Sequence, residues 1–108
     1  MLKIDSTKTV RECSSDYAKI WIEIYNDSPT ECILTYLRVR EEHRRKGYGG
    51  QALADAEEIA RRLGCNIAYL KVEANTWVHE WYLRRGYKYL SDDSDEDTAH
   101  VWLYKRLI

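Results

Sequence analysis

The sequence predicts an α/β mixture of the α+β kind, built around a single sheet with the order βββ-α-β-α-ββ. Two segments, Tyr17 to Tyr25 and Ala99 to Leu107, carry the two-residue alternation of half-buried strands. A third, Ala52 to Leu63, carries one apolar stripe at helical spacing. The chain has 108 residues, enough for one compact domain and too few for two, so residues 1–108 are read as one unit.

Taken in order, Leu2 to Val10 is a weak strand. Tyr17 to Tyr25 follows, with Ile20, Ile22 and Ile24 on one face and Trp21, Glu23 and Tyr25 on the other. Asn26-Asp27-Ser28-Pro29 is a turn cluster. Cys32 to Val39 forms the third strand. The helix then places Ala52, Leu53, Ala56, Ile59, Ala60 and Leu63 on one stripe, and Gly64 sits where a helix-ending glycine belongs. Ile67 to Val72 is a short buried strand and Val78 to Arg84 a second helix, stopped by Gly86. Tyr87 to Leu90 is a strand, Ser91 to Thr98 an acidic loop, and Ala99 to Leu107 the closing strand. The stripe Trp21, Tyr25, Tyr36 reads as sheet packing rather than a binding platform.

Seventeen basic and 18 acidic side chains leave a net charge of -1, which argues against holding nucleic acid by bulk positive charge. Hydrophobic residues at 44% and charged ones at 32% suit a folded, water-exposed domain. No apolar run approaches the ~20 residues that span a bilayer, and Met1 to Asp5 resembles neither a signal nor a transit peptide. A cytoplasmic protein is the expectation. Cys13, Cys32 and Cys65 are odd in number and widely spaced, which predicts reduced thiols and no metal site.

The most informative segment runs from Val39 to Gly50. A strand ends, a basic turn with Arg44, Arg45 and Lys46 follows, and Gly47-Tyr48-Gly49-Gly50 opens a helix. Glycine permits a positive φ and lets a ligand approach the amides without a Cβ in the way. The first N–H groups of a helix lack internal partners and point outward at its positive end, which suits a pyrophosphate. Arg38 and Arg40 complete a set of five cations. There is no Gly-Lys-Ser/Thr, so this is not a Walker loop, and Ala52 stands where the dinucleotide fingerprint has its third glycine.

At these residues the chain resembles the GCN5-related N-acetyltransferases (GNAT). Their pyrophosphate signature, Gln/Arg-x-x-Gly-x-Gly/Ala, stands here as Arg44-Arg45-Lys46-Gly47-Tyr48-Gly49, after a strand ending Leu37-Arg38-Val39. Their second signature stands as Asn75, Val78, Trp81-Tyr82 and Gly86-Tyr87, and Trp102 to Leu107 resembles their closing strand. The resemblance covers Ile20 to Leu107. It implies a mixed, mostly antiparallel sheet, with acetyl-CoA as donor in a splay between the strand ending at Val39 and the strand Ile67 to Val72. Backbone amides of Arg44, Arg45, Lys46, Gly47, Tyr48, Gly49 and Gly50 would take the pyrophosphate, and Leu37, Arg38 and Val39 the pantetheine arm. Asn75 would fix the strand-to-helix turn or touch the cofactor. No metal is implied.

The resemblance also implies that an acceptor amine attacks the thioester directly. Tyr82 is then the first choice for general acid: a phenol of pKa ~10 can hydrogen-bond a departing thiol of pKa ~8.5. The base is left open. Glu31 lies two residues from a position some relatives use, and Glu73 follows Lys71 on the next strand. His79, Glu23 and a water-relayed path are the alternatives, and each side chain also reads as an ordinary solvated group. The residues before Tyr17 leave no room for two helices that the family places between its first strands and that wall the acceptor side. An open acceptor side implies a macromolecular amine, a protein lysine or N-terminus, or a site completed by a second copy in a homodimer. The acidic run Asp92 to Asp97 would then recruit a basic acceptor. Trimmed members of this kind occur in phages. The rival readings are a catalytically silent CoA-binding regulatory or interaction module, including a phage-type inhibitor of a host protein, and a small nucleic-acid binder using Arg38 to Lys46.

Overall fold

The computed structural model describes residues 8–43, 45–92 and 99–108. Arg44, the first part of the expected Leu2–Val10 strand and the acidic stretch from Asp93 to Thr98 lie outside the described residues.

Among the described residues, six strands and two α-helices follow the expected order: β1 Lys8–Ser14, β2 Ala18–Tyr25, β3 Glu31–Val39, α1 Tyr48–Arg62, β4 Ile67–Glu73, α2 Trp77–Arg84, β5 Lys88–Asp92 and β6 His100–Arg106. They form one sheet of spatial order β1-β2-β3-β4-β6-β5, antiparallel throughout except where β3 meets β4. The alternation in β2 sorts its residues as expected. Ile20 and Ile22 are buried while Trp21, Glu23 and Tyr25 stay half-buried on the opposite face.

Cys32 and Leu34 of β3, Ala68, Leu70 and Val72 of β4 and Val101 and Leu103 of β6 point to the same side as the isoleucines. There they meet Leu53, Ala56 and Ala60 of α1 and Tyr82 of α2 in a single core. Both α-helices thus lie on one face of the sheet. The other face carries Trp21, Tyr25, Ile33, Tyr69, Trp102 and Tyr104, all half-buried. Among the described residues no helix is long and apolar enough to cross a membrane, and no group of His, Cys, Asp and Glu is placed to hold a metal ion.

Several boundaries differ from the sequence reading, each for a physical reason. β1 continues to Ser14 because Arg11 to Ser14 pair with Lys19 to Ile22, although an edge strand with nearly every residue exposed shows no alternation to read. β5 begins at Lys88, not Tyr87, and extends through Ser91 and Asp92, which pair with Trp102 and Val101 rather than belonging to the loop. Tyr36 leaves the aromatic stripe. Between the pairs Lys19–Arg38 and Trp21–Thr35, β3 carries one more residue than β2, and Tyr36 takes a φ of 57° in that bulge with 69% of its surface exposed.

Both helices end on the same device. At the end of α1, Cys65 N–H bonds the Ala60 carbonyl at 2.9 Å and Gly64 N–H the Arg61 carbonyl at 3.0 Å. At the end of α2, Tyr87 N–H bonds the Tyr82 carbonyl and Gly86 N–H the Leu83 carbonyl, both at 3.2 Å. Gly86, at φ 94°, is the residue that turns the chain there. The turn folds the Tyr87 ring back against Tyr82, centroids 5.6 Å apart. Tyr87 is held from its far end as well, donating its hydroxyl to Glu57 Oε2 at 2.8 Å. Glu57 is the one charged residue in the described core, and Lys105 Nζ lies 3.1 Å from its Oε1.

Cys13, Cys32 and Cys65 are free thiols. Burial pushes Cys32 up to about 12 and also raises Cys65, so neither offers a thiolate at neutral pH.

Candidate active site

A gap in the sheet organises the site. β3 and β4 run parallel, yet they pair only through Glu31–Ile67, Cys32–Ala68 and Ile33–Tyr69. Beyond that short seam β3 goes on to Val39 and β4 to Glu73 with no ladder between them. The bulge at Tyr36 lies in the length of β3 that pairs with β2 but not with β4, and bends it. The result is a V, closed at Glu31 and open at Val39 and Glu73.

The N-terminus of α1 stands at the open end. A short 3₁₀ turn, Glu41–His43, leads into Arg45 at φ 66° and Gly47 at φ 84°, a backbone shape that glycine adopts without penalty. Gly47 is the N-cap residue. Its carbonyl accepts the first helical bond from Gln51 N–H at 3.1 Å, no side chain among the described residues caps the helix, and no acidic residue occupies its first turn. The amides of Tyr48, Gly49 and Gly50 therefore lack helical partners. α2 is built the opposite way: Thr76 accepts the His79 N–H at 3.2 Å and Glu80 sits in the first turn.

A ring cluster anchors the loop. Tyr17 stacks on Tyr48 with centroids 4.2 Å apart, and His43 meets Tyr17 edge-on at 4.6 Å. Arg40 N–H reaches the Tyr17 carbonyl at 3.0 Å.

The glycines also set how the neighbouring side chains pack. A β-carbon on Gly49 would sit 3.5 Å from both the Trp81 ring and Val39 Cγ2, and one on Gly50 would sit 3.3 Å from Arg85 Nη2. The space left by the missing side chains is thus filled by the side chains of Trp81 and Arg85, at the end of α2, and by Val39 of β3. Gly49→Ala is expected to be tolerated, with a gain of up to about 1 kcal/mol from helix propensity. Gly49→Val pushes its methyls into Trp81 and Val39 and should cost about 1–3 kcal/mol in urea unfolding. Equal stability of the two variants would refute this packing role.

The expected site residues divide along the V. Leu37, Arg38 and Val39 form the open end of β3, with Leu37 packed on the core, and Arg45 and Lys46 are exposed beside them. Tyr82 is 8% exposed on the core side, in edge-to-face contact with Trp81 at 5.0 Å. Burial pushes its phenol up to about 12 against the opposing pull of Arg85, so it keeps its proton at neutral pH.

Glu31 and Glu73 both lie on the face away from the helices, but six residues apart along the strand direction, about 20 Å, so the structure does not bring them together. Glu31 is at the closed end, beside Tyr69, whose phenol is raised by burial first and by Glu31 second. A groove of about 310 Å³ opens there, lined by Tyr25, Asp27, Ser28, Glu31, Cys32, Ile33 and Tyr69. Glu73 is exposed at the mouth, its carbonyl accepting from Thr76 Oγ1 at 2.8 Å.

Asn75 turns the chain between β4 and α2 at φ 62°, and Thr76 is the helix cap. His79 accepts the Asn75 N–H on Nδ1 at 3.1 Å, and Glu23 contacts Lys8 at 3.5 Å; both have structural partners. Sequence reasoning missed Arg85. Its signal was an arginine four residues after Trp81, at the spacing that stacks side chains on one helix face.

The family model of the acetyltransferase (GNAT) family matches residues 17–87. Solved structures share the fold. An acetyltransferase of Bacillus subtilis in complex with CoA superposes with a TM-score of 0.74 at 19% identity, over 94% of this chain and 78% of that one. An acetyltransferase from Bacillus cereus gives 0.70 at 23% identity, over 93% and 73%. The PaiA N-acetyltransferase of Thermoplasma acidophilum in complex with coenzyme A gives 0.72 at 20% identity, over 92% of this chain and 60% of that one. The chain likewise spans only 64% of the length of a Klebsiella pneumoniae neighbour. No protein of curated function matches the sequence. With the family model covering well over half of the chain, and the V-shaped gap and uncapped glycine helix in place, this protein belongs to the acetyltransferase (GNAT) family.

Proposed function

We propose that this protein transfers an acetyl group from acetyl-CoA to an amine, and that the amine belongs to a protein, as a lysine side chain or an N-terminus. The observation that carries the reading is the pairing of the V-shaped gap with the uncapped N-terminus of α1 at its mouth. The lips of β3 and β4 offer backbone groups to an extended, amide-bearing arm. The amides of Tyr48, Gly49 and Gly50, with Arg45 and Lys46 beside them, suit a diphosphate. Acetyl-CoA supplies the activated acyl group.

Tyr82 holds its phenolic proton on the core side and presents it where charge develops on the departing sulfur. Glu31 lies at the closed end on the opposite face and receives the proton that the amine gives up, directly or through water. Glu73, at the mouth, is too far from that end to share the task. The groove beside Glu31 combines two carboxylates with two phenol rings, a lining that suits a cationic amine, and its open shape suits an amine on a macromolecule.

The test is calorimetric titration with acetyl-CoA, with ATP as control, followed by transfer to lysine-containing peptides. Micromolar binding of acetyl-CoA but not ATP, with peptide acetylation, is the expected result. Binding without turnover would reduce the protein to a CoA-binding module, and no binding would overturn the reading.

A further inference from the structure

Arg85 lies outside the two motifs that point to the cofactor, yet it stands beside the proposed diphosphate position. It is the C-cap residue of α2, and Gly86 behind it fixes the direction of the chain. Its guanidinium lies over the Trp81 ring, 3.7 Å from the centroid, and Nη1 donates to the Trp81 carbonyl at 3.2 Å. These two contacts set the side chain in one orientation. In that orientation Nη2 and Nε rest against Gly50, in the first turn of α1, in space that any other residue at position 50 would occupy.

The charge balance there is one-sided. Among the described residues no carboxylate pairs with Arg85, whereas Arg84 beside it reaches Glu80, and Arg61 and Arg62 share Glu58. A fixed cation therefore stands against a helix end that is itself positive and has neither a cap nor an acidic side chain. A guanidinium held there with four of its five N–H groups uncommitted to the Trp81 carbonyl is shaped to take two oxygens of one phosphate.

We propose that Arg85 is a donor-selecting residue: it binds the diphosphate of acetyl-CoA from the α2 side and sets the preference for CoA thioesters over thioesters that end at pantetheine. The proposal rests on the CoA-binding reading given above and extends it. Trp81 and Gly50 are part of the same device, one as the plate on which the guanidinium lies and the other as the gap that admits it.

The experiment compares acetyl-CoA with S-acetyl-pantetheine, which lacks the diphosphate, by calorimetry on the wild type, Arg85→Met and Arg85→Lys. Methionine keeps an unbranched chain over Trp81 and removes the charge, and thermal unfolding checks that each variant is folded. Arg85→Met is expected to weaken acetyl-CoA binding about 10- to 100-fold and to leave S-acetyl-pantetheine within about twofold. Arg85→Lys should recover part of the loss, since an ammonium keeps the charge without the fork. If the wild type does not bind acetyl-CoA, the CoA reading falls and the proposal with it. If the wild type binds and Arg85→Met binds equally well, the proposal alone falls. A loss that is equal for both ligands would make Arg85 a clamp between helices and would also overturn it.

Discussion

Tyr82→Phe is expected to lower kcat for acetyl transfer about 10²-fold, the range for losing a general acid, while acetyl-CoA binding changes little. The phenyl ring keeps the contacts with Trp81 and Tyr87 and fills nearly the same buried volume, so only the proton donor is lost. The pH dependence gives an independent check. With the phenol pushed up to about 12 by burial, Tyr82 stays protonated through the neutral range, and no limb of the pH–rate profile below about pH 10 belongs to it. The variant profile should keep the wild-type shape at a lower height. The sign of the linked stability effect follows. The unfolded phenol ionises near 10 and the folded one near 12, so Tyr82 costs no stability below pH 10 and destabilises the fold as pH rises between those values. Equal turnover by wild type and variant would leave Tyr82 a core residue only.

The second large effect is on stability. Glu57→Ala should cost about 3 kcal/mol in urea unfolding, because it strips a buried carboxylate from Lys105 and from the Tyr87 hydroxyl together. Glu57 is 6% exposed, and its partners tie α1 to β6 and to the turn after α2. Glu57→Gln keeps an acceptor for Tyr87 and should recover part of the loss. A cost below about 1 kcal/mol for alanine would mean that Lys105 simply swings out to water and that the tie is slack.

How much of this was legible in the sequence depended on how regular each element is. The isoleucines of β2 and the stripe of α1 are regular, and they reported both burial and the side of the sheet. The GNAT signatures fall on the glycine turn that opens α1 and on α2, elements whose local backbone shape they report. What escaped has no local signature. β1 beyond Val10 is polar because it is an exposed edge, and β5 continues through Ser91 and Asp92 only because β6 lies beside it. Tyr36 looks like one more strand aromatic until the count of residues against β2 is known. Glu57 sits four residues after Leu53, inside the apolar stripe, and its burial depends on Lys105 and Tyr87 arriving from far along the chain. The distance between Glu31 and Glu73 required the register of β3 on β4. Arg85 required knowing that its side chain reaches Gly50 at the start of α1.

The three-rung seam between β3 and β4 has a consequence for how the molecule holds together. In backbone terms the sheet is two three-stranded leaves, β1-β2-β3 and β4-β6-β5, hinged at Glu31–Ile33. A guest lodged between the leaves acts as a spine for both, and the folded state alone can bind it. At a hundredfold excess over Kd such a guest adds about 2.7 kcal/mol to the free energy of unfolding. With acetyl-CoA as that guest, as proposed above, the melting temperature of this protein is expected to rise with cofactor concentration, and its lifetime in the presence of proteases to lengthen with donor supply.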